Sequence, residues 1–141
     1  MPYTRPRTVL VIEDSDEDFV ALARALKKAG FSEPILRCTQ GDQVVPMLEQ
    51  QHHANIPVSL ILLDLNLPAI DGREVLKMVK DRAHLRCIPI VVLSTSADYH
   101  DITDCYAHGA SSYMLKALDY DQFNYAIKQL CDYWFGVVLL P

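Results

Sequence analysis

Two short stretches, residues 58–63 and 89–93, are apolar at nearly every position instead of alternating with polar residues. A strand with one wet face alternates, whereas a strand apolar throughout is buried on both faces, as in a parallel sheet. Helices must then cover both faces of that sheet. Three further runs, Thr8–Ile12, residues 34–38 and the shorter Ser112–Leu115, bring the strands to five. Between them the spacing becomes helical. Phe19, Leu22, Leu26 and Ala29 recur at intervals of three and four, with Gly30 placed as a stop. Phe123, Ile127, Leu130 and Trp134 form one stripe behind the capping residue Asp119. Helices are also expected over residues 42–51, where Pro46 leaves the start open, over 72–83, and over 98–108, ended by Gly109. Strands alternating with helices predict an α/β fold of the doubly wound, flavodoxin-like kind, with five parallel strands in the order 2-1-3-4-5 and five helices.

A chain of 141 residues, half of them hydrophobic, is expected to form one domain over residues 1–141. Its net charge of −5 argues against a broad electrostatic grip on nucleic acid. The four cysteines, Cys38, Cys87, Cys105 and Cys131, stand singly, without the close pairs of structural zinc sites. They read as reduced thiols, which points to the cytoplasm. Residues 1–7 carry no apolar segment behind their charges, and no apolar run approaches the roughly 18 residues of a membrane span. A soluble protein with no membrane association is expected. The one oddity is the tail, residues 136–141, whose apolar character suggests that it docks on something.

Ligands of doubly wound sheets sit beyond the carboxyl ends of the strands. There the sequence places Glu13-Asp14-Ser15 after the first strand, Asp64-Leu65-Asn66-Leu67-Pro68 after the third, Ser94-Thr95-Ser96 after the fourth and Lys116 after the fifth. Each has a plain structural reading. Glu13 and Asp14 favour the positive end of the following helix. Asn66, Pro68, Asp71 and Gly72 suit a turn and a helix start. The Ser94–Ser96 hydroxyls suit a cap, and Lys116 an exposed surface. Asp64 resists such an account, because a carboxylate at the mouth of a buried strand carries a desolvation cost unless a cation meets it. In the order 2-1-3-4-5 these strands are neighbours about 4.8 Å apart, so the groups converge. Three carboxylates together call for a hard divalent cation, Mg²⁺ or Mn²⁺, bound through oxygen. The five histidines show no ligand spacing with these acids. With such a cation bound, the carboxylate of Asp64 is able to attack phosphorus as a covalent nucleophile, while Ser94 and Lys116 hold the other phosphoryl oxygens.

Over residues 9–130 these features resemble the receiver domains of two-component response regulators. The resemblance rests on Glu13-Asp14, on Asp64 followed by Asn66, Pro68 and Asp71-Gly72, on Ser94 and Tyr113 as switch hydroxyl and switch aromatic, and on Lys116. It implies phosphoryl transfer to Asp64 from a sensor histidine kinase and metal ligation by Asp14, Asp64 and the Asn66 carbonyl, with Glu13 acting through water. It also implies that phosphorylation draws in Ser94, turns Tyr113 and alters a surface of the fourth helix, fifth strand and fifth helix. Ser94 is assigned over Thr95 because it lies five residues beyond Pro89. Leu93-Ser94-Thr95-Ser96, the segment from Leu118 to Phe123, and Tyr133-Trp134 with the apolar tail resemble more narrowly the small regulators of cyanobacterial phytochromes, which makes a phytochrome the expected kinase.

Other readings fit less well. A metal-dependent phosphatase of the haloacid dehalogenase type needs a second carboxylate two residues after the nucleophile, where Asn66 stands. A nucleotide-binding protein needs a glycine-rich loop after the first strand, where Glu13-Asp14 would repel phosphate. A degenerate scaffold is disfavoured because every polar position is filled. The chain is therefore expected to signal by protein–protein contact, catalysing only its own phosphorylation and dephosphorylation. Tyr120, Phe123, Tyr133, Trp134 and residues 137–140 suggest a twofold homodimer. Ala117 stands where receivers usually carry proline after the lysine. A cis peptide costs about 0.5–1 kcal/mol before proline and roughly 2.5–4 kcal/mol before other residues, so a trans bond is expected, with Lys116 still reaching the acids.

Overall fold

The apolar runs form the sheet in the computed structural model, which describes residues 7–141. The sequence reading of residues 1–6 lies outside the described residues. In chain order the elements are β1 (Thr8–Ile12), α1 (Asp16–Lys28), β2 (Ile35–Cys38), α2 (Val44–His53), β3 (Val58–Asp64), α3 (Gly72–Lys80), β4 (Ile90–Ser94), α4 (Tyr99–Ala107), β5 (Ser112–Leu115) and α5 (Tyr120–Gly136). All five strands are parallel, in the order β2-β1-β3-β4-β5. β1, β3 and β4 are buried along their whole length. β2 and β5, at the edges, are half-buried for the most part, which is why their sequences are the least uniformly apolar.

Strand alternation sorts the core into two layers. Val9, Val11, Leu60, Leu62, Val91 and Leu93 meet α1 and α5 through Leu22, Leu26, Ile127 and Leu130. Leu10, Ile12, Ile61, Leu63, Ile90 and Val92 meet α2, α3 and α4 through Leu48, Leu76, Val79 and Cys105. In register, Ile12 lies beside Leu63, Asp64 beside Leu93 and Ser94 beside Leu115. The strand ends that carry the candidate residues are therefore contiguous. Ser15, Asp71, Asp98 and Asp119 cap their helices by accepting backbone N–H bonds.

Two helix boundaries differ from the sequence expectation. The stretch expected as a helix over 42–51 is a 3₁₀ turn, Gly41–Gln43, followed by α2, with Pro46 in the first helical turn where a missing N–H costs nothing. α3 stops at Lys80 and does not reach Ala83. Beyond it, successive turns through Arg82, Leu85 and Ile88 replace the helical ladder and deliver Leu85 and Ile88 to the core. The Lys80 ammonium fastens this segment by donating to the carbonyls of Arg86 and Ile88 at 2.8 and 2.9 Å.

The tail docks on its own chain. Arg7 donates to the Phe135 carbonyl at 2.6 Å and Phe31 stacks on Phe135, so the end of α5 is held against the body. Leu140 is buried, and Pro141 lines a hollow with Leu48, Pro57, Val58, Leu85 and Ile88, past the amino ends of β3 and β4. Phe123 and Trp134 pack against the α1–α5 layer. Three residues expected to offer free apolar area are thus engaged internally, while Tyr120, Tyr133, Val137 and Leu139 remain exposed. Among the described residues no helix is long and apolar enough to cross a membrane. Leu140→Ala is expected to lower unfolding free energy by about 2 kcal/mol, the low end for a buried leucine because a terminal segment relaxes easily. Urea denaturation measures it, and unchanged stability would show that the tail does not hold to the body.

Candidate functional site

Glu13 follows the last residue of β1 directly, and Asp64 is the last residue of β3; both are buried, at 3% and 7% exposure. Asp14 is exposed at the start of the loop into α1. Carboxylate oxygens of Glu13, Asp14 and Asp64 all lie within 4.8 Å of one another. Lys116, just past β5, points its ammonium into this group, 3.2 Å from Glu13 Oε2, from Asp64 Oδ2 and from Asp18 Oδ2. Its backbone N–H donates to the Ser94 carbonyl at 2.7 Å, tying the loop to the end of β4. The Lys116–Ala117 peptide is trans, as the sequence leads one to expect, and the lysine still reaches the acids. Asp18 escaped the sequence reading. It is one of three acids, with Asp16 and Glu17, in the first turn of α1, where acids are favoured in any case and carry no signal of a site.

Asp64 Oδ1 accepts the Asn66 N–H at 3.0 Å. Asn66 itself sits exposed on the loop between β3 and α3. That loop closes where the Gly72 N–H donates to the Leu65 carbonyl. A Cβ on Gly72 would meet Leu65 Cα at 2.7 Å and the Asp64 carbonyl at 2.8 Å, so only glycine lets α3 start this close to the strand end.

Ser94 ends β4, buried, and continues the alternation of Ile90 and Val92 toward the layer where Tyr113 packs. Its Oγ accepts the Ser96 N–H at 3.1 Å, and the Tyr113 hydroxyl donates to the Ser96 carbonyl at 2.7 Å. Thr95 instead lines a cleft of about 310 Å³ beside Glu13, Asp64 and Lys116, walled by Leu22, Leu62, Leu93 and Phe123. The histidines keep away from the acids; His84 pairs with Glu49 at 2.7 Å. The four cysteines are free thiols, with Cys38, Cys105 and Cys131 buried.

Electrostatically the cluster is short of positive charge. Burial, then the neighbouring Asp64 carboxylate, raise the Glu13 pKa to about 7 despite the Lys116 ammonium. Burial alone would lower the Lys116 pKa, but Asp64, Glu13 and Asp18 outweigh it and raise it. One ammonium thus serves three carboxylates, and Asp14 enters no ion pair among the described residues. An all-oxygen donor set with uncompensated negative charge fits a hard divalent cation.

The family model for the response regulator receiver domain matches residues 9–128. The chain belongs to the receiver family. Response regulator Rcp1 of Synechocystis sp. is 33% identical over 138 residues, covering 96% of this chain and 94% of that protein. The probable methanogenesis regulatory protein FilR2 of Methanothrix harundinacea is 31% identical over 132 residues, covering 93% and 85%. Among solved structures, the phosphorylated cyanobacterial phytochrome response regulator RcpA superposes with a TM-score of 0.87 at 33% identity, over 96% of this chain and 99% of that one. The Mn²⁺-bound form of Rcp1 gives 0.86 at 33% identity with the same coverage. As a receiver, this protein is a phosphoacceptor of two-component signalling, a class that binds divalent metal.

The raised pKa of Glu13 has a measurable sign. Between its ordinary value of 4.5 and about 7, the folded state binds more protons here than the unfolded state does. Stability from this group is therefore full below 4.5 and lost as pH rises through about 7. In metal-free buffer the melting temperature of wild type should fall across this window relative to Glu13→Gln. Parallel profiles for the two proteins would contradict the assignment.

Proposed function

We propose that Asp64 is the phosphoacceptor of this receiver and that its phosphoryl donor is a sensor histidine kinase. The observation that carries the reading is the Lys116 ammonium 3.2 Å from Asp64 within a cluster of three carboxylates at one sheet edge. Asp14, Asp64 and the Asn66 backbone carbonyl would hold Mg²⁺, with Mn²⁺ as substitute and Glu13 acting through water. The cation neutralises the charge of the incoming phosphoryl group and of the acids around it. An Asp64 oxygen forms the bond to phosphorus as the bond to the donor nitrogen breaks. Lys116 and the Ser94 hydroxyl hold phosphoryl oxygens, and Tyr113 reports the change to the surface of α4, β5 and α5. Water later cleaves the acyl phosphate, so catalysis is confined to the protein's own phosphorylation and dephosphorylation.

The kinase is read as a phytochrome, because a neighbouring structure is that of a cyanobacterial phytochrome response regulator. Residues 1–141 act as a single receiver unit with the tail, 136–141, docked beneath it. Output is by protein–protein contact in the cytoplasm, without nucleic acid. The exposed Tyr120, Tyr133, Val137 and Leu139 support a twofold homodimer through the α4–β5–α5 surface and the tail.

Incubation with acetyl phosphate and Mg²⁺ should add one phosphoryl group to wild type, read by intact mass. Asp64→Asn, or wild type in excess chelator, should gain none, and Lys116→Ala should react about 100-fold more slowly. A phosphoryl group on Asp64→Asn would refute the assignment. Sedimentation at micromolar concentration tests the dimer separately; a monomer unaffected by loss of residues 136–141 would exclude it.

A further inference from the structure

The mechanism uses Ser94 and Tyr113 but leaves unexplained what holds the two in register. Ser96 lies between them, and all its polar groups are engaged. Its N–H donates to Ser94 Oγ at 3.1 Å, its carbonyl accepts the Tyr113 hydroxyl at 2.7 Å, and its own hydroxyl donates to Asp101 Oδ2 at 2.6 Å. Its Oγ also accepts the Asp98 N–H at 3.1 Å, at the cap of α4. The other Asp101 oxygen accepts from Arg73 at 2.8 Å. Arg73 in turn grips both oxygens of Asp71, at 3.1 and 3.0 Å, and Asp71 caps α3 one residue before Gly72. An unbroken chain of hydrogen bonds therefore runs from the loop behind Asp64, across the α3–α4 seam, to Tyr113.

We propose that Arg73, Asp101 and Ser96 are positioning residues that preset the Ser94–Tyr113 switch before any phosphoryl group arrives. The chemistry of each link gives the direction. Ser94 Oγ is occupied as an acceptor by the Ser96 N–H, which leaves the Ser94 proton to be donated to a phosphoryl oxygen. The Ser96 carbonyl is held where the Tyr113 hydroxyl reaches it, so the ring stays on the inner side. Isolated exposed ion pairs contribute little. Here a bidentate arginine and a carboxylate using both oxygens form a network, in which each bond fixes the geometry of the next. Without the Asp101 contact, the Ser96 hydroxyl is held only through the Asp98 N–H, and Tyr113 trades its acceptor for water.

The test begins with unphosphorylated protein carrying Asp64→Asn, so that it stands even if the phosphoacceptor assignment fails. The protein is labelled with fluorotyrosine, and the Tyr113 resonance is assigned by Tyr113→Phe. Asp101→Ala and Ser96→Ala should each shift that resonance toward the solvent-exposed position, the double variant should shift it no further, and Ser96→Thr should restore it. Circular dichroism and melting confirm that each variant is folded, and Ser96→Ala, at a loop position, serves if Asp101→Ala does not fold. In the Asp64 background, the same two variants should slow phosphorylation by acetyl phosphate by about 2- to 30-fold. An unmoved Tyr113 resonance in folded Ser96→Ala would overturn the proposal, as would additive shifts in the double variant. A moved resonance with an unchanged phosphorylation rate would overturn the presetting of Ser94.

Discussion

Two carboxylates, Glu13 and Asp64, stand at the ends of buried strands that are apolar at nearly every position, and the ammonium of Lys116 is what lets them stay there. Taking a charge out of water costs several kcal/mol even after relaxation, more than an exposed ion pair returns. The arrangement demands that β1, β3 and β5 end at one edge, with β4 between the last two to carry the lysine's loop. Parallel topology in the order β2-β1-β3-β4-β5 meets this demand. The compensation is incomplete, and the remainder appears as the raised pKa of Glu13. The site is a place where the fold gives up stability, and a divalent cation is the group whose binding would return it.

Precision at the site comes from backbone packing rather than from the acids. Gly72 permits the first turn of α3 to press on Leu65 and on the carbonyl of Asp64, while the Asn66 N–H fixes one carboxylate oxygen. On the other side, the Lys116 N–H grips the Ser94 carbonyl, so the lysine loop and the end of β4 move as one. A trans bond before Ala117 is compatible with this because the lysine stem is long and its last atoms, not its backbone, meet the acids.

Most of this architecture was legible in the residues. Uniformly apolar runs announced buried parallel strands, and polar residues immediately after them marked the reactive edge. Helix periodicity placed Phe123 and Trp134 on the stripe that does pack inward, so counting them also as free surface conflicted with the pattern. Boundaries were harder. The early end of α3 goes with the tertiary packing of Leu85 and Ile88, and the 3₁₀ turn before Val44 packs Gly41 against Ile70 and Val75, neither of which local propensity encodes. Asp18 and the Arg73–Asp101–Ser96 chain were invisible for a different reason. The Asp18–Lys116 and Arg73–Asp101 contacts join residues far apart in sequence, and all of them run through exposed or half-buried side chains, where polar residues are the default and carry no periodic signal.

The sharing of one ammonium among three carboxylates also bears on how the site could respond. On the proposed reading, Lys116 must turn from Asp64 toward a phosphoryl oxygen once Asp64 has become an acyl phosphate. A lysine held by a single partner would have to break its whole ion pair first. Here it gives up one of three contacts at 3.2 Å and keeps Glu13 and Asp18 as a hinge while it gains a more highly charged acceptor. The direction of that movement is set by charge. Meanwhile Ser94, already occupied as an acceptor by the Ser96 N–H, has its proton free for the same phosphoryl group. Both groups that would recognise the phosphoryl are thus poised by contacts they can keep, which is what a small domain needs if a change of one residue's charge is to be felt at its surface.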